Sequence, residues 1–162
     1  MPSVSLTDFL DFVALSGSPK LTKVRTIHDR DDYGPQIDFW KPLRDGIGRF
    51  HSRGGEDKHT LDALVTQATK NRRERYDECV RGYKRFLGRK GVTWTRPPRG
   101  TWSKNGLRIK INPELGLTID GTPHIVKLYF KREKLRKLRG ADVILLLMHE
   151  ALGRDLRRGT RL

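Results

Sequence analysis

The stretch GLRIKINPELGLTIDGTPHIVKLYFK, residues 106–131, constrains the fold more than any other. Apolar and polar residues alternate through it with the period of two that a half-buried strand requires. Asp120-Gly121 interrupts the alternation. That pair suits a two-residue hairpin loop, because a type I′ turn needs positive φ at both central residues. With those two as the loop, Ile119 faces Thr122, Leu117 faces His124 and Leu115 faces Val126. Leu115, Leu117, Ile119, Val126 and Leu128 then share one apolar face. Glu114 falls opposite Lys127 on the other face, beside Gly116, Thr118, Ile125 and Tyr129. A slip of one residue would reverse every side chain, so burial and turn chemistry select one register. Residues 107–112 read as a third strand with Arg108 and Lys110 on its outer side, broken by Asn112-Pro113.

Helical signals precede this sheet. Ser5 and Asp8 form a capping pair at the start of a helix whose apolar residues are Leu6, Phe9, Leu10, Phe12, Val13 and Leu15. Gly17 and Pro19 end it. Residues 20–36 read as a short segment and a polar turn; His28, Asp29, Asp31 and Asp32 there have ligand chemistry without the spacing of a metal motif. Residues 37–51 read as a second helix with Pro42 in its first turn. Gly54-Gly55 marks a boundary between a helical N-terminal region, 1–55, and a basic α+β region, 56–162, together one compact domain. Residues 60–91 carry a long helical pattern broken near 70–73.

Residues 92–105 read as an extended connector stiffened by Pro97-Pro98. Trp94, Arg96, Arg99 and Trp102 alternate aromatic and basic groups there. Such a mixture suits a single-strand platform, but large aromatics more often plug a core. Residues 132–139 read as a basic helical turn. The apolar run at 143–148 fits a buried helix or a central strand, with Ala141, Leu146 and Leu147 leaning towards helix. The last ten residues read as a basic tail that frays. The fold class is therefore α+β: N-terminal helices, then a three-stranded antiparallel sheet and a C-terminal helix.

Charge limits the partners. The 162 residues carry a formal net charge of +15, and all of the surplus falls after residue 66, where Lys and Arg outnumber Asp and Glu by 16. Such asymmetry points to a polyanion, and nucleic acid is the polyanion whose phosphates Lys and Arg neutralise with release of counterions. The expected phosphate contacts are Arg72, Arg73, Lys84 and Arg85 on the long helix, Arg108, Lys110, Lys127 and Lys131 on the strands, and Arg136 and Lys137 beyond them. DNA and RNA are equally compatible. A single cysteine, Cys79, suits a reducing cytoplasm, and no apolar run approaches the ~20 residues of a membrane span. No phosphate-binding glycine loop or nucleophile elbow is present, and His149-Glu150 lacks the second histidine of a zinc-protease helix, Gly153 standing there.

A helix followed by three strands and another helix, with Glu114, Asp120 and Lys127 near strand ends, resembles the PD-(D/E)XK nuclease superfamily. The resemblance covers roughly residues 60–150. It implies a Mg²⁺-dependent phosphodiesterase in which Glu114 or Asp120 holds the metal and Lys127 orients water. Where the family carries an acid two residues before the lysine, this chain has Ile125. Outside the nuclease reading no cofactor is expected. A third reading is a module that docks an acidic protein partner through its basic surface.

Overall fold

The computed structural model describes residues 2–29, 38–131 and 140–162 of the chain. In chain order the elements are β1 (Ser3–Ser5), α1 (Leu6–Val13), α2 (Ser18–His28), α3 (Lys41–Ser52), a 3-10 turn (Lys58–Asp62) leading into α4 (Ala63–Thr66), α5 (Lys70–Leu87), β2 (Val92–Thr95), β3 (Gly100–Lys104), β4 (Leu107–Ile111), β5 (Leu115–Ile119), β6 (Thr122–Val126), α6 (Gly140–Leu152) and a last 3-10 turn (Gly153–Asp155). The chain is mixed helix and sheet, as its sequence implies.

The Asp120-Gly121 hairpin forms in the expected register, with Leu115 paired to Val126, Leu117 to His124 and Ile119 to Thr122. Asp120 has φ 47° and Gly121 φ 82°, the conformation a type I′ turn demands. The turn is also tied to the chain entering β2. Asp120 Oδ1 accepts the Gly91 N–H at 2.8 Å, and the Asp120 N–H donates to the Gly91 carbonyl at 2.9 Å. β2 then runs antiparallel to β5 with Thr95 opposite Gly116. A Cβ at residue 116 would lie 2.5 Å from the Thr95 carbonyl oxygen, so only glycine lets the two strands approach.

The strands do not make one sheet. They form two three-stranded sheets, ordered β1-β4-β3 and β2-β5-β6. Residues 107–111 leave the hairpin at Asn112-Pro113 and pair instead with β3, antiparallel, and with β1, parallel. The connector expected at 92–105 is therefore two strands. The reason is a second turn of the same kind. Asn105 (φ 49°) and Gly106 (φ 78°) close a two-residue hairpin between β3 and β4. Pro97-Pro98, which cannot donate to a ladder, separates β2 from β3 and lets them join different sheets.

Two cores result. Leu115, Leu117 and Ile119 bury against Leu43 and Ile47 of α3, Leu61, and Tyr76, Val80, Tyr83 and Leu87 of α5. The opposite side of the hairpin was expected to face outward, but Ile125 is buried and Tyr129 packs beside it. There they meet Leu6 and Leu10 of α1, Ile109 and Ile111 of β4, and Ile144, Leu147, Met148 and Leu152 of α6. The run at 143–148 is thus a helix, burying residues three and four apart while Leu145 and Leu146 remain exposed. Both cores draw residues from either side of residue 55.

Local corrections follow from particular residues. Ser5 caps α1 as expected, accepting the Asp8 N–H at 3.0 Å. Residues 18–28 form a full helix because Pro19 occupies its first turn, where a missing N–H costs nothing. The helical break expected near 70–73 lies just before Lys70. The C-terminal tail docks beside β6 rather than fraying: Arg161 N–H donates to the Pro123 carbonyl and Ile125 N–H to the Arg161 carbonyl, both at 2.9 Å. Asp31 and Asp32, the turn at 33–35, and the basic turn at 132–139 with Arg136 and Lys137 lie outside the described residues. Among the described residues no helix is long and apolar enough to cross a membrane.

Candidate nucleic-acid interface

A cleft of about 1060 Å³ opens between α1, α3, the chain leaving β2, and the junction of β4 with β5. Its α3 wall comes from helical periodicity. Lys41, Arg44, Asp45, Gly48, Arg49 and Ser52 line the cleft, while Leu43, Ile47 and His51 point into the core behind them. Strand ends supply the rest. Pro113 and Glu114 enter from the β4–β5 junction, Lys127 and Lys131 from the chain after β6, and Trp94, Arg96 and Arg99 from the segment around Pro97-Pro98.

One side of the cleft is a network of opposed charges. Lys127 Nζ lies 2.5 Å from Glu114 Oε1, the cross-strand partnership that the hairpin register dictates. Arg44 Nε approaches the same oxygen at 3.5 Å, and Glu114 Oε2 accepts the Leu128 N–H at 2.7 Å. Arg44 also reaches Asp38. Burial alone would raise the Asp38 carboxyl, but the Arg44 hydrogen bond and charge, with the Trp40 N–H, hold it below its ordinary value. A second hub is Asp11 of α1, which is buried. It takes Lys131 Nζ at 2.5 Å, the Tyr129 hydroxyl at 3.2 Å and Lys23 Nζ at 3.6 Å. Burial, and then the Asp11 charge, push the Tyr129 phenol up, so it stays a neutral donor.

The other side carries cations that meet no carboxylate among the described residues. Arg49, Arg96 and Arg99 are exposed and make no ion pair among the described residues. Trp94 stands beside them, 37% exposed. Ser5, which lines the cleft, pairs with Lys110 of the β1-β4-β3 sheet. The pairings Ser3–Arg108–Ser103 and Ser5–Lys110–Thr101 place four hydroxyls and two cations on the exposed face of that sheet, with no carboxylate in either row.

The structure divides the expected contacts. Arg108, Lys110 and Arg85 are exposed. Lys127 and Lys131 are engaged by Glu114 and Asp11, and Lys84 Nζ is held at 2.7 Å from both Asp62 oxygens. Arg73 donates to the Thr66 and Ala68 carbonyls at 3.4 and 3.3 Å, capping α4, and Arg72 lies over the Phe39 ring at 5.5 Å. Glu114 and Lys127 are brought together, whereas Asp120 sits at the far end of the hairpin, about 20 Å along an extended strand. Both Glu114 oxygens are already occupied, and among the described residues no three His, Cys, Asp or Glu side chains are placed to hold a metal ion. Glu114 is thus engaged by Lys127 and by the Leu128 N–H. Arg49 escaped the sequence reading, although the polar face of α3 announces it. Trp94, Arg96 and Arg99 were visible as a basic–aromatic mixture, but their shared position beside a cleft was not.

In comparisons with known proteins the chain matches no family model, no curated protein and no solved structure.

Proposed function

We propose that the protein binds nucleic acid, mainly through backbone phosphates, along the open side of the cleft and the outer face of the β1-β4-β3 sheet. The observation that supports this is a set of exposed cations with no acidic partner among the described residues: Arg49, Arg96 and Arg99 in the cleft, Arg108 and Lys110 on the sheet. An unpaired guanidinium keeps its fork of donors for a phosphate, and the neighbouring hydroxyls of Ser3, Thr101 and Ser103 add neutral donors. Lys127 and Lys131 serve instead to neutralise the acids of the closed side.

The test is equilibrium binding of short DNA and RNA oligonucleotides between roughly 50 and 200 mM salt, with and without Mg²⁺. The expected result is binding whose logarithm falls linearly with the logarithm of salt. Reversing Arg108 and Lys110 to Glu should weaken every sequence alike and reduce the slope by about 2. No binding at low salt to either nucleic acid would end the proposal, and tight binding to an acidic protein in its place would favour a protein-docking module. Mg²⁺-dependent cleavage lost in both Glu114→Gln and Lys127→Ala would turn the reading to the nuclease that the sequence resembles.

A further inference from the structure

We infer that the cleft takes a single strand rather than a duplex, with Trp94 as the surface on which a base stacks and Arg49, Arg96 and Arg99 as the phosphate contacts beside it. This rests on the nucleic-acid reading above and adds the class of ligand. The three tryptophans of the chain have different fates. Trp40 packs in the first core among Phe39, Tyr76 and Phe130. Trp102 packs against the second core and donates its indole N–H to Glu150. Trp94 belongs to neither core and has no ring partner among the described residues.

Position and stiffness make Trp94 usable. It lies on β2, an edge strand, so one flank of its backbone is open. Two residues later begins a run in which Arg96 and Arg99 bracket Pro97-Pro98. Consecutive prolines fix φ and hold the two arginines roughly 9 Å apart at ~3.1 Å per residue, so each can meet a different phosphate at little ordering cost. Arg49 faces the same cleft from α3. Aromatic surface with flanking cations is the combination that binds bases by their π-faces and the backbone by charge.

The exposed aromatic face selects against a duplex. A duplex hides its π-faces in the stack and offers base edges only at the bottom of grooves about 12 and 6 Å wide, which a reader must enter with a protruding helix or strand. Trp94 is exposed on the edge strand β2 and lines the cleft together with α3 residues and Ser5, Asn112 and Pro113, so its ring can take an unpaired base. A duplex offers phosphates to exposed cations such as Arg108 and Lys110 but no free base face to Trp94. An unpaired strand can lie in the cleft and present a base.

The experiment compares the intact chain, Trp94→Phe and Trp94→Ala for binding to single-stranded oligothymidylate and to the duplex of that oligomer with oligoadenylate, at one salt concentration. Because Trp94 is partly exposed, folding is expected to survive, and circular dichroism with an unfolding curve checks it. The expected result is at least a tenfold preference for the single strand. Trp94→Ala should lose roughly 5- to 150-fold of single-strand affinity, the range for one stacked base, with Trp94→Phe retaining most of it and duplex affinity unmoved. Equal or better binding of the duplex, or single-strand affinity indifferent to Trp94→Ala, overturns the inference while leaving nucleic-acid binding intact. Absence of binding to both strands overturns the two together.

Discussion

The two sides of the cleft carry the same kinds of residue and differ in what those residues are free to do. Around Glu114 and Asp11, both lysines of the chain after β6 meet an acid: Lys127 meets Glu114 across the hairpin, and Lys131 meets Asp11 of α1. Around Trp94, the arginines meet none among the described residues. The first arrangement stabilises the junction of strands and helices. The second leaves donors available. Net charge therefore measures the field of the whole molecule, while partner geometry decides which cations can take a phosphate.

The largest expected effect breaks the closed side. Glu114→Gln leaves Lys127, whose side chain is 9% exposed, and Arg44 facing a neutral group. Losing one partner of such an inward pair costs about 3 kcal/mol, readable as a lower urea midpoint at unchanged slope, while affinity of the folded protein for nucleic acid should not fall. Stability unchanged by this substitution would show that the closed side is not structural.

Next is a pH response from a buried pair behind the α3 wall. His51 is buried with Nε2 at 2.6 Å from the Tyr83 hydroxyl, and burial pushes its pKa down to about 4. Burial also raises the Tyr83 phenol. The unfolded chain takes a proton on His51 near pH 6.5 and the folded chain only near 4. The stability from the neutral imidazole is therefore fully present above pH 6.5 and is lost as pH falls towards 4. Thermal melts across that window should show the loss, and His51→Gln should flatten it. The same slope in both proteins would remove His51 as its source.

A smaller change is expected from Asp120→Ala, about 1–2 kcal/mol, because the turn loses the Gly91 N–H bond and its tolerance of positive φ. Urea unfolding measures it, and Asp120→Gly should recover part of it. Neither variant should change nucleic-acid affinity, whereas a catalytic Asp120 would lose activity in both. Smallest of all is Lys84→Ala, which breaks an exposed pair with Asp62 and should alter neither melting temperature nor affinity measurably.

Much of the scaffold was legible because local chemistry and burial agreed. The Ser5 cap, the Asp120-Gly121 turn, the hairpin register and the Glu114–Lys127 contact all follow from short-range pattern. The sheet partition did not, although Asn105-Gly106 carried the same turn signal as Asp120-Gly121; Pro97-Pro98 and the short β2 made the preceding segment read as a linker. The parallel pairing of β1 with β4 joins residues about a hundred positions apart, and no local periodicity encodes it. The cleft was hidden for the same reason. Asp11, Arg49, Arg99 and Glu114 come from four distant segments, so which cations would be neutralised depended on a topology that the pattern leaves open.

The most direct measurement is the salt dependence of single-strand binding in two variants, Arg96→Glu/Arg99→Glu and Lys127→Gln. The double reversal should lower affinity at least tenfold and reduce the slope by about 1.4, two phosphates at roughly 0.7 each, while Lys127→Gln should leave the slope unchanged. A reduced slope in Lys127→Gln with an unchanged one in the double reversal would contradict it.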